Sequence, residues 1–563
     1  MKSLLVVVFV AALSSTQADV NYFCVPPGTP GVPENPDYLS WETAGTNIHE
    51  AVLIANNPSR GDKWVLHRLY VKSGFYPINK EIEIAGSRFE MVSSKGADAQ
   101  DEIDPEGTLL CGGYPDSTNR IVRIFNDSFD NNRHVVFRGF TVTNGWTEGN
   151  GGGICFEYGR WNPNVISDCR IVGNFAYKGS GGGIYANPAV PRLCITNCVV
   201  SGNTVSNDFS KGSAPVYGGG VCLTQISGAI KNNAMNNDGY GIFNCEIFGN
   251  RACGDAANVS GVYAGKSPLW MENTSVSNNI ATALSGGTSS DGAGVYVYYG
   301  AKIINCNVSR NLALYCGGAS GIHALSGCEI SNCVFLNNSG APVVLAEAYS
   351  SDMNNAPVTL ADSILDGNGD SGHALVNASK GAVIRNCLLM NAKGFLLTTQ
   401  SAALRISESE NVIENCTIAN STKGVWCDNG YASAMVNCAF YGNELRDLHQ
   451  CNTGGSEGMS FINCYFDSTT PRYGEDIVSR PCTDCVVSAS PRFTDPENGD
   501  FTLQRKSPLR DAGMSLSRMT GSKDLAGNAR LCNAQGLPSS DALPDIGCFE
   551  CALRNRQLCV IVR

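Results

Sequence analysis

Hydrophobic and polar positions repeat in a six-residue pattern from residue 166 to residue 467. The pattern is an apolar residue, any residue, Asn or Asp, a small residue, any residue and a second apolar residue; residues 166–171 are the first clear copy. There are eleven copies in all, at intervals of 22 to 32 residues, with one interval of 47. Their central residues are Cys169, Cys198, Cys245, Thr274, Cys306, Cys333, Ser363, Cys387, Cys416, Cys438 and Cys464. This period predicts a solenoid, in which each unit buries its apolar face against its neighbours.

Within a copy, the centre and the residue two places later are small or apolar, as Cys306 and Val308 are. This spacing predicts a β-strand with one buried face. The first apolar residue, here Ile303, lies three places before the centre, so the chain must bend between them. Asn or Asp precedes the centre in all eleven copies. Because these residues tolerate a left-handed backbone, we predict that they form the bend and that stacked copies form a hydrogen-bonded ladder.

A third element precedes most copies and begins with glycine, as at Gly181, Gly182 and Gly183 before Ile184. An Asn often follows the centre by five places and marks the end of the second strand. One coil therefore contains three short strands. The sequence predicts an all-β fold, a right-handed parallel β-helix with three sheets and about a dozen coils over residues 111–490. The glycine, asparagine and β-branched content, without a 3.6-residue apolar stripe, excludes a helical solenoid.

The two ends of the chain lack the repeat. We predict that residues 19–110 form an N-terminal cap with the first strands, and that residues 491–563 form a C-terminal capping region. Residues 47–55 are predicted to form a short amphipathic helix before a strand at 69–71. Residues 1–18 have the charged start, apolar centre and small-residue end of a signal peptide, so we expect a secreted or cell-surface protein. No later apolar run is long enough for a transmembrane helix.

Cysteine occupies the centre of most copies, and the chain has 25 cysteines in all. Side chains stacked in such a column point the same way and fit the disulfide torsion poorly, so we predict free, buried thiols there. We expect disulfides off the column: Cys482 with Cys485, Cys194 with Cys222, and pairs among Cys532, Cys548, Cys551 and Cys559. No second pair matches the spacing of Cys482 and Cys485, so no metal site is predicted.

Charge changes the picture little. The net charge is −11 with both signs dispersed, which disfavours nucleic acid or an anionic membrane as a partner and is typical of simple solubility. The six histidines are scattered without the pairing that hydrolytic triads or catalytic zinc need.

Several stretches outside the repeat carry a family resemblance. Residues 41–76 end in Val-Lys-Ser-Gly-Phe-Tyr, and residues 137–145 read Phe-Arg-Gly-Phe-Thr-Val-Thr-Asn-Gly. Four further stretches lie near the C-terminus, at residues 499–503, 507–513, 524–530 and 545–550; the last of them reads Asp-Ile-Gly-Cys-Phe-Glu. The first two stretches resemble the opening segment and first coil of bacterial secreted β-helix proteins of the pectin lyase-like superfamily; the others resemble the closing region called choice-of-anchor Q. The resemblance implies the fold and a leaning toward polysaccharides.

Catalytic signals are weak. The Asn-Thr-Asp, Asp-Asp, Gly-His-Gly and Arg-Ile-Lys phrases of polygalacturonase-type hydrolases are absent. A polysaccharide lyase would need acidic residues that hold calcium and an Arg or Lys as base. Glu148, Glu157 and Arg160 lie around the first glycine turn and suit those roles, although a solvated loop explains them equally well. The sequence therefore leaves enzymatic activity open, with calcium implied only for a lyase.

Aromatic residues follow the glycines in several coils. If Ile154, Ile184, Val262, Val295, Ile322 and Val425 face inward, alternation turns the next residue outward. Five of these outward residues are candidates for carbohydrate binding: Tyr185, Tyr263, Tyr296, His323 and Trp426. Stacked coils would align them as a track for sugar rings, whose apolar faces bind aromatic faces. Alternatively, the rings pack on each other or under loops.

Three functions remain in order of preference. The first is a secreted or cell-surface β-helix protein that binds an extracellular or cell-envelope polysaccharide without catalysis. The second is a polysaccharide lyase or glycoside hydrolase on the same fold, which requires carboxylates and a basic residue to converge on one groove. The third is a surface adhesin or structural protein with a protein partner. The ligand, the anchoring mode and the oligomeric state are not encoded in any motif.

Overall fold

The protein is a solenoid of short strands that pair in parallel between successive coils. The computed structural model describes residues 19–551 apart from residues 57–64, 86–87, 115, 126–133, 158–163, 188–192, 209–213, 225–238, 256, 266–267, 284–291, 348–355, 371–372, 395–400, 409, 429–431, 451–458, 468–481, 488–489, 533–538 and 540–541. Four parallel sheets run along the axis, with 16, 15, 6 and 13 strands, and we number them sheets 1 to 4 in the order in which a coil visits them. None of the described helices has the length and apolarity to span a membrane.

The strand bounds follow the axis from the N-terminal end. Sheet 1 contains Val20–Cys24, His67–Lys72, Arg88–Ser94, His134–Arg138, Asn164–Ser167, Leu193–Thr196, Tyr240–Phe243, Leu269–Glu272, Lys302–Ile304, Glu329–Ser331, Thr359–Ala361, Val383–Arg385, Val412–Glu414, Ala434–Val436, Ser460–Ile462 and Cys482–Thr483. Sheet 2 contains Gly74–Ile78, Thr108–Gly112, Thr141–Thr143, Arg170–Val172, Val199–Ser201, Glu246–Phe248, Ser275–Ser277, Asn307–Ser309, Val334–Leu336, Ile364–Asp370, Leu388–Lys393, Thr417–Ala419, Ala439–Tyr441, Tyr465–Phe466 and Val486–Val487. Sheet 3 contains Trp146–Glu148, Phe175–Tyr177, Thr204–Ser206, Arg251–Gly254, Ile280–Ala283 and Leu312–Leu314. Sheet 4 contains Ile82–Ile84, Val122–Phe125, Ile154–Glu157, Ile184–Ala186, Val221–Leu223, Val262–Ala264, Val295–Val297, Ile322–Leu325, Val344–Glu347, Val376–Ala378, Leu404–Ile406, Lys423–Cys427 and Arg446–Gln450.

The remaining described elements are few. One α-helix spans Ile48–Ala55, and its N-cap is Asn47, whose side chain accepts from the N–H groups of His49 and Glu50. Two further strand pairs lie outside the main sheets: Val216–Tyr217 with Ala257–Asn258 in parallel, and Phe493–Asp495 with Asp500–Leu503 in antiparallel. Short 3₁₀ helices lie at Ala97–Ala99, Pro496–Asn498 and Ser517–Met519. The α-helix Ile48–Ala55 confirms the short helix that was predicted over residues 47–55.

The register of the sheets matches the sequence repeat. Ile303 pairs with Met271 in sheet 1, and Val308 pairs with Val276 in sheet 2. Equivalent apolar residues thus stack in columns that face inward, and they form one continuous buried core. The predicted parallel β-helix with three long sheets is confirmed. Six coils add the short sheet 3 between sheets 2 and 4.

The bend between sheets 1 and 2 is made by the Asn or Asp before each centre. All eleven residues have a left-handed backbone with φ of 48° to 55°. We call them the bend column: Asp168, Asn197, Asn244, Asn273, Asn305, Asn332, Asp362, Asn386, Asn415, Asn437 and Asn463. Several of the side chains form the expected ladder; for example, Asn332 Nδ2 donates to Asn305 Oδ1 at 3.2 Å and Asn437 Nδ2 to Asn415 Oδ1 at 3.0 Å.

A second ladder lies inside the solenoid, five residues after the centres. Its members are Asn174, Asn203, Asn250, Asn279, Asn311 and Asn338, all at most 1% exposed. Each Nδ2 donates both to the next Asn Oδ1 along the ladder and to a main-chain carbonyl of the preceding coil, as Asn250 does to Asn279 and Val200. The final member, Asn338, donates to Val308 O. Buried amides are stable here because the coil above and the coil below satisfy them.

The central cysteines are buried and free, as predicted. They are also hydrogen bonded: Cys198 Sγ donates to Thr196 O at 3.2 Å and accepts from Cys169 N at 3.5 Å. Cys482 and Cys485 form the predicted disulfide. The pairing of Cys194 with Cys222 is wrong, because Cys194 lies in sheet 1 and Cys222 in sheet 4, and both are free. Cys532, Cys548 and Cys551 are free as well, and Cys559 lies outside the described residues.

The C-terminal region packs along the flank of the last coils. Phe493, Phe501 and Leu509 join a buried cluster with Leu388 and Tyr465 of sheet 2. Polar contacts reach the bend column, where Asn437 Nδ2 donates to Met514 O at 2.9 Å. This region therefore covers the outer side of sheet 2 and the bends of the last coils.

Candidate binding surfaces

The outer face of sheet 4 carries the predicted aromatic row. Its register runs from Cys155 through Tyr185, Cys222, Tyr263, Tyr296, His323, Leu345, Asn377 and Arg405 to Trp426. Tyr263 stacks on Tyr296 with ring centroids 5.1 Å apart, and His323 meets Tyr296 edge-on at 5.0 Å. The structure therefore brings these three residues together. The coil that carries Cys222 separates Tyr185 from Tyr263, and three coils lie between His323 and Trp426.

The expected exposure of this row is wrong for four of its members. Tyr185, Tyr296, His323 and Trp426 are only 6 to 9% exposed, and Tyr263 is partly exposed. Neighbouring aromatic groups cover the row: Tyr217 stacks on Tyr263 at 4.3 Å, and Tyr298 lies 6.3 Å from Tyr296. The rings thus pack on each other and on neighbouring aromatic residues outside the row, Tyr217 and Tyr298.

Two polar groups in the row, on His323 and Trp426, are held by protein partners. His323 Nε2 lies 3.2 Å from Glu347 Oε2, and this hydrogen bond lowers the pKa of Glu347. Trp426 Nε1 donates to Asp428 Oδ1 at 2.6 Å, and Lys423 Nζ lies 4.3 Å from the centroid of the Trp426 ring. Burial raises the pKa of Tyr185 to about 12. These contacts make the row a stabilising layer over sheet 4.

A more accessible aromatic surface lies on the outer face of sheet 3. We define the sheet-3 patch as Tyr114, Trp146, Phe175 and Tyr177. Tyr114 stacks on Trp146 at 5.7 Å and 9°, and Trp146 stacks on Phe175 at 6.2 Å and 4°. Tyr114 is 48% exposed, and the other three rings are partly exposed. Parallel rings therefore reach the surface over successive coils.

Charged groups border the sheet-3 patch. Glu148 is exposed and lies beside Tyr177 in the register of sheet 3. The Tyr177 hydroxyl donates to Asp208, and Lys178 Nζ lies 3.0 Å from Asp208 Oδ2. Sequence reasoning missed this surface, although one signal was present: Trp146 and Phe175 are one 29-residue period apart, and Ala176 separates Phe175 from Tyr177.

An ionic cluster occupies the first coils of sheet 4. Arg123 lies 2.7 Å from Glu157 and 3.6 Å from Glu83, and Arg120 lies 3.3 Å from Glu81 and from Glu157. Burial acts to raise the pKa of Glu157, but the hydrogen bond and charge of Arg123 outweigh it and lower the pKa.

The pKa of Arg123 is raised, chiefly by its hydrogen bond to Glu157. A guanidinium held in this way keeps its proton, so it is poorly suited to act as a base. Of the three residues considered for a lyase site, only Glu157 belongs to this cluster. Glu148 lies on sheet 3, and Arg160 lies outside the described residues. Among the described residues, no group of three or more His, Cys, Asp or Glu is placed to hold a metal ion.

A polar cleft of about 450 Å³ lies where the C-terminal region meets the bend column. Asn332, Asp362 and Arg385 line one side, and Arg518 and Lys523 line the other. Arg518 is paired with buried Glu414, and its pKa is lowered by burial and by the charge of Arg385. Arg385 and Lys523 are exposed, as is Asp362, so two cations and one carboxylate lie at the mouth of the cleft.

The family model described as right-handed β-helix region matches residues 234–410 and 292–469. A search of curated protein sequences found no significant match. Three solved structures are similar in fold. Pectate lyase Pel9A has a TM-score of 0.28 at 11% identity, over 95% of this chain and 97% of that chain. Tailspike protein 3 of bacteriophage CBA120 has a TM-score of 0.34 at 8% identity, over 75% and 57%. PfbA, a surface adhesin of Streptococcus pneumoniae, has a TM-score of 0.23 at 9% identity, over 77% and 92%. The match to this family model, together with the parallel sheets described above, establishes that the fold is a right-handed β-helix.

Proposed function

We propose that this protein is an extracellular, non-catalytic β-helix that binds polysaccharide through the sheet-3 patch. The observation that carries the proposal is the set of parallel rings from Tyr114 to Phe175, which are accessible on the outside of the solenoid. Aromatic faces bind the apolar faces of sugar rings, and exposed apolar groups in a contiguous patch mark interaction sites.

The surroundings of the patch suit a sugar chain. Glu148 and the pair of Lys178 with Asp208 provide charged hydrogen-bonding groups beside Tyr177. Sugar hydroxyls need such partners at the edge of an aromatic surface. The predicted sheet-4 row is a weaker candidate for the same role, because a glycan would first have to displace the groups that cover Tyr296 and His323.

A lyase is the less favoured reading. Carboxylates and arginines do converge in the cluster of Glu81, Glu83, Arg120, Arg123 and Glu157, but they neutralise one another. Catalysis would require a cation free to lose its proton beside the substrate. The paired arginines favour a structural role for this cluster.

The test is a glycan-array screen of purified residues 19–563, followed by titration of each hit against variants. We expect Trp146→Ala to weaken binding by about tenfold, since one sugar–aromatic contact is worth about 1.4 kcal/mol. The matched control is Trp270→Ala, which removes a 43% exposed tryptophan from sheet 1. Each hit is also assayed for new reducing ends and for unsaturated uronate. Loss of binding in both variants, or in neither, contradicts the assignment of the patch, and product formation contradicts the non-catalytic proposal.

A further inference from the structure

The bend column has two halves that differ in what covers them. Asn386, Asn415 and Asn437 are buried beneath the C-terminal region. Asn197, Asn244, Asn273, Asn305, Asn332 and Asp362 belong to the same column but are exposed. The two halves share the backbone conformation and the coil spacing, because all of these residues have φ near 50° and precede a strand of sheet 2.

In the covered half, the amides bind a polypeptide main chain. Asn437 makes a two-point contact with Met514: Nδ2 donates to Met514 O at 2.9 Å, and Oδ1 accepts from Met514 N at 2.7 Å. Asn463 Nδ2 donates to Ala512 O at 3.0 Å, and Asn386 Nδ2 donates to Lys523 O at 3.1 Å. These contacts are all to the main chain of the C-terminal region. Asn386 Oδ1 also accepts from the Arg530 guanidinium, but the contacts of Asn437 and Asn463 use peptide groups alone.

In the exposed half, the same amides keep a hydrogen-bonding group toward solvent. Asn437 and Asn386 use one Nδ2 hydrogen on the preceding coil and the other on the covering chain. Asn197 and Asn332 likewise donate to Asp168 and Asn305 on the preceding coil. Neither of these two amides has a second acceptor among the described residues, so one N–H of each is directed to solvent.

We propose that the exposed half of the bend column, from Asn197 to Asp362, is a docking site for the main chain of a partner polypeptide. The C-terminal region runs from Asn463 toward Asn386 as its residue numbers rise, and a partner segment would extend the same track past the cleft. At the cleft, exposed Arg385 and Lys523 outnumber the exposed carboxylate of Asp362, and the balance favours a segment that carries an acidic residue. The site is separate from the sheet-3 patch and does not depend on sugar binding.

The probe is a fluorescein-labelled peptide with the sequence of residues 510–516, Arg-Asp-Ala-Gly-Met-Ser-Leu, amidated at its C-terminus. This sequence includes the main chain that the column already holds, and Asp511 supplies the acidic group. Anisotropy is measured against the purified protein. The proposal predicts saturable binding, and it predicts that the same peptide N-methylated at Ala512, Gly513 and Met514 binds at least about tenfold more weakly, since the blocked N–H groups can no longer donate to Asn Oδ1.

The variant for the protein side is Asn305→Asp with Asn332→Asp. Aspartate removes the N–H donors but is compatible with the bend, since Asp168 and Asp362 occupy it naturally. We expect the affinity to fall by about tenfold, from the loss of two hydrogen bonds. The control is Asn278→Asp with Asn337→Asp, which makes the same charge change at left-handed residues after sheet 2, off the column. Melting curves establish that both variants fold.

Three results overturn the proposal. The first is an absence of saturable peptide binding up to about 1 mM, near the weakest specific affinity that such a contact can have. The second is equal loss of binding in the column and control variants, which indicates a charge effect alone. The third is a glycan whose binding is lost with Asn305→Asp and Asn332→Asp while the peptide does not bind; the column would then serve polysaccharide. None of these results bears on Trp146, so the proposed sugar site is tested separately.

Discussion

Asn203 Nδ2 donates to Asn250 Oδ1 at 3.1 Å, although 47 residues separate the two side chains in sequence. The main-chain N–H of Asn203 donates to the same oxygen at 3.0 Å. Both residues are fully buried. The coils on either side of the longest interval between repeats are therefore in register, and the asparagine ladder is one of the contacts that fix this register.

Asn250→Ala tests the contribution of the ladder to stability. The substitution leaves the Val200 carbonyl and the Asn203 N–H without their partners in a dry interior. We expect a loss of about 2–5 kcal/mol in the free energy of unfolding, the combined cost of two or three unsatisfied groups. Urea unfolding followed by circular dichroism measures it. The control is Asn307→Ala, which removes an exposed Asn from a sheet 2 strand and is expected to change stability by less than about 0.5 kcal/mol. Comparable losses in both variants would show that a ladder Asn contributes no more to stability than an exposed Asn does.

The thiols of Cys198 and Cys438, at the centres of two repeats, are expected to be inert until the protein unfolds. Burial raises the pKa of Cys198 well above its usual value, and it and Cys438 are at most 1% exposed. Because the thiolate is the reactive form, iodoacetamide at pH 8 should modify these cysteines in urea but not in the native protein. Peptide mapping by mass spectrometry measures the modification site by site. Cys111 is partly exposed and provides an internal reference. Native modification of Cys198 as fast as that of Cys111 would contradict the buried column.

The repeat made most of the fold predictable because each coil is specified locally. The Asn before each centre dictates the left-handed bend, and the spacing of apolar residues dictates which face of each strand is buried. The hydrogen bonding of the central residues was also encoded: Thr274 and Ser363 replace cysteine, and their hydroxyls accept from Cys245 N and Cys333 N as Cys198 Sγ does from Cys169 N. A small residue that can donate and accept is therefore required at the centre.

Features that depend on distant contacts were not predictable. The sheet 3 strands have only three or four residues, too few for a periodic signal of their own. Tyr263 is partly covered by Tyr217, which reaches it from a different part of the neighbouring coil. The C-terminal region reaches the bend column over long separations, since Asn386 contacts Arg530 144 residues away. Such pairings leave no periodic trace in a single sequence.

Arg530→Met tests how the C-terminal region is held. Arg530 is 1% exposed, and its guanidinium donates to Glu550 Oε1 at 2.7 Å and to Gly547 O at 3.0 Å. Burial already raises the pKa of Glu550 to about 8. Removing the cation leaves this carboxyl buried without its charge partner, which costs up to about 3–5 kcal/mol when the carboxyl is ionised. We expect faster proteolysis between residues 510 and 550, while the coils stay resistant.

A second substitution separates charge from packing at the same place. Glu550→Gln added to Arg530→Met removes the unpaired carboxyl, so protection should partly return. Lys95→Met breaks the exposed pair with Glu102, whose atoms lie 2.8 Å apart, and is expected to leave proteolysis unchanged. A double variant as labile as Arg530→Met alone would show that lost packing dominates.

Asp447 gives the protein a pH-dependent stability. It lies on the sheet 4 strand Arg446–Gln450 and is 9% exposed, and Asn443 Nδ2 donates to its Oδ1 at 2.8 Å. Burial raises the pKa of Asp447 to about 6 from an ordinary value of 3.8. The folded protein thus holds this proton more tightly than the unfolded chain does, so stability from this group is present below about pH 4 and is lost as the pH rises through about 6.

Asp447→Asn removes the titration while keeping an acceptor for Asn443. The variant should be more stable than the parent at pH 7, by up to about 3 kcal/mol for a shift of roughly two pKa units, and the difference should vanish near pH 4. Urea midpoints at pH 4, 5, 6 and 7 measure this. Asp98→Asn, at an exposed position in the 3₁₀ helix Ala97–Ala99, serves as the control and is expected to show no such trend. A stability difference for Asp447→Asn that stays constant from pH 4 to pH 7 would show that the carboxyl does not carry this dependence.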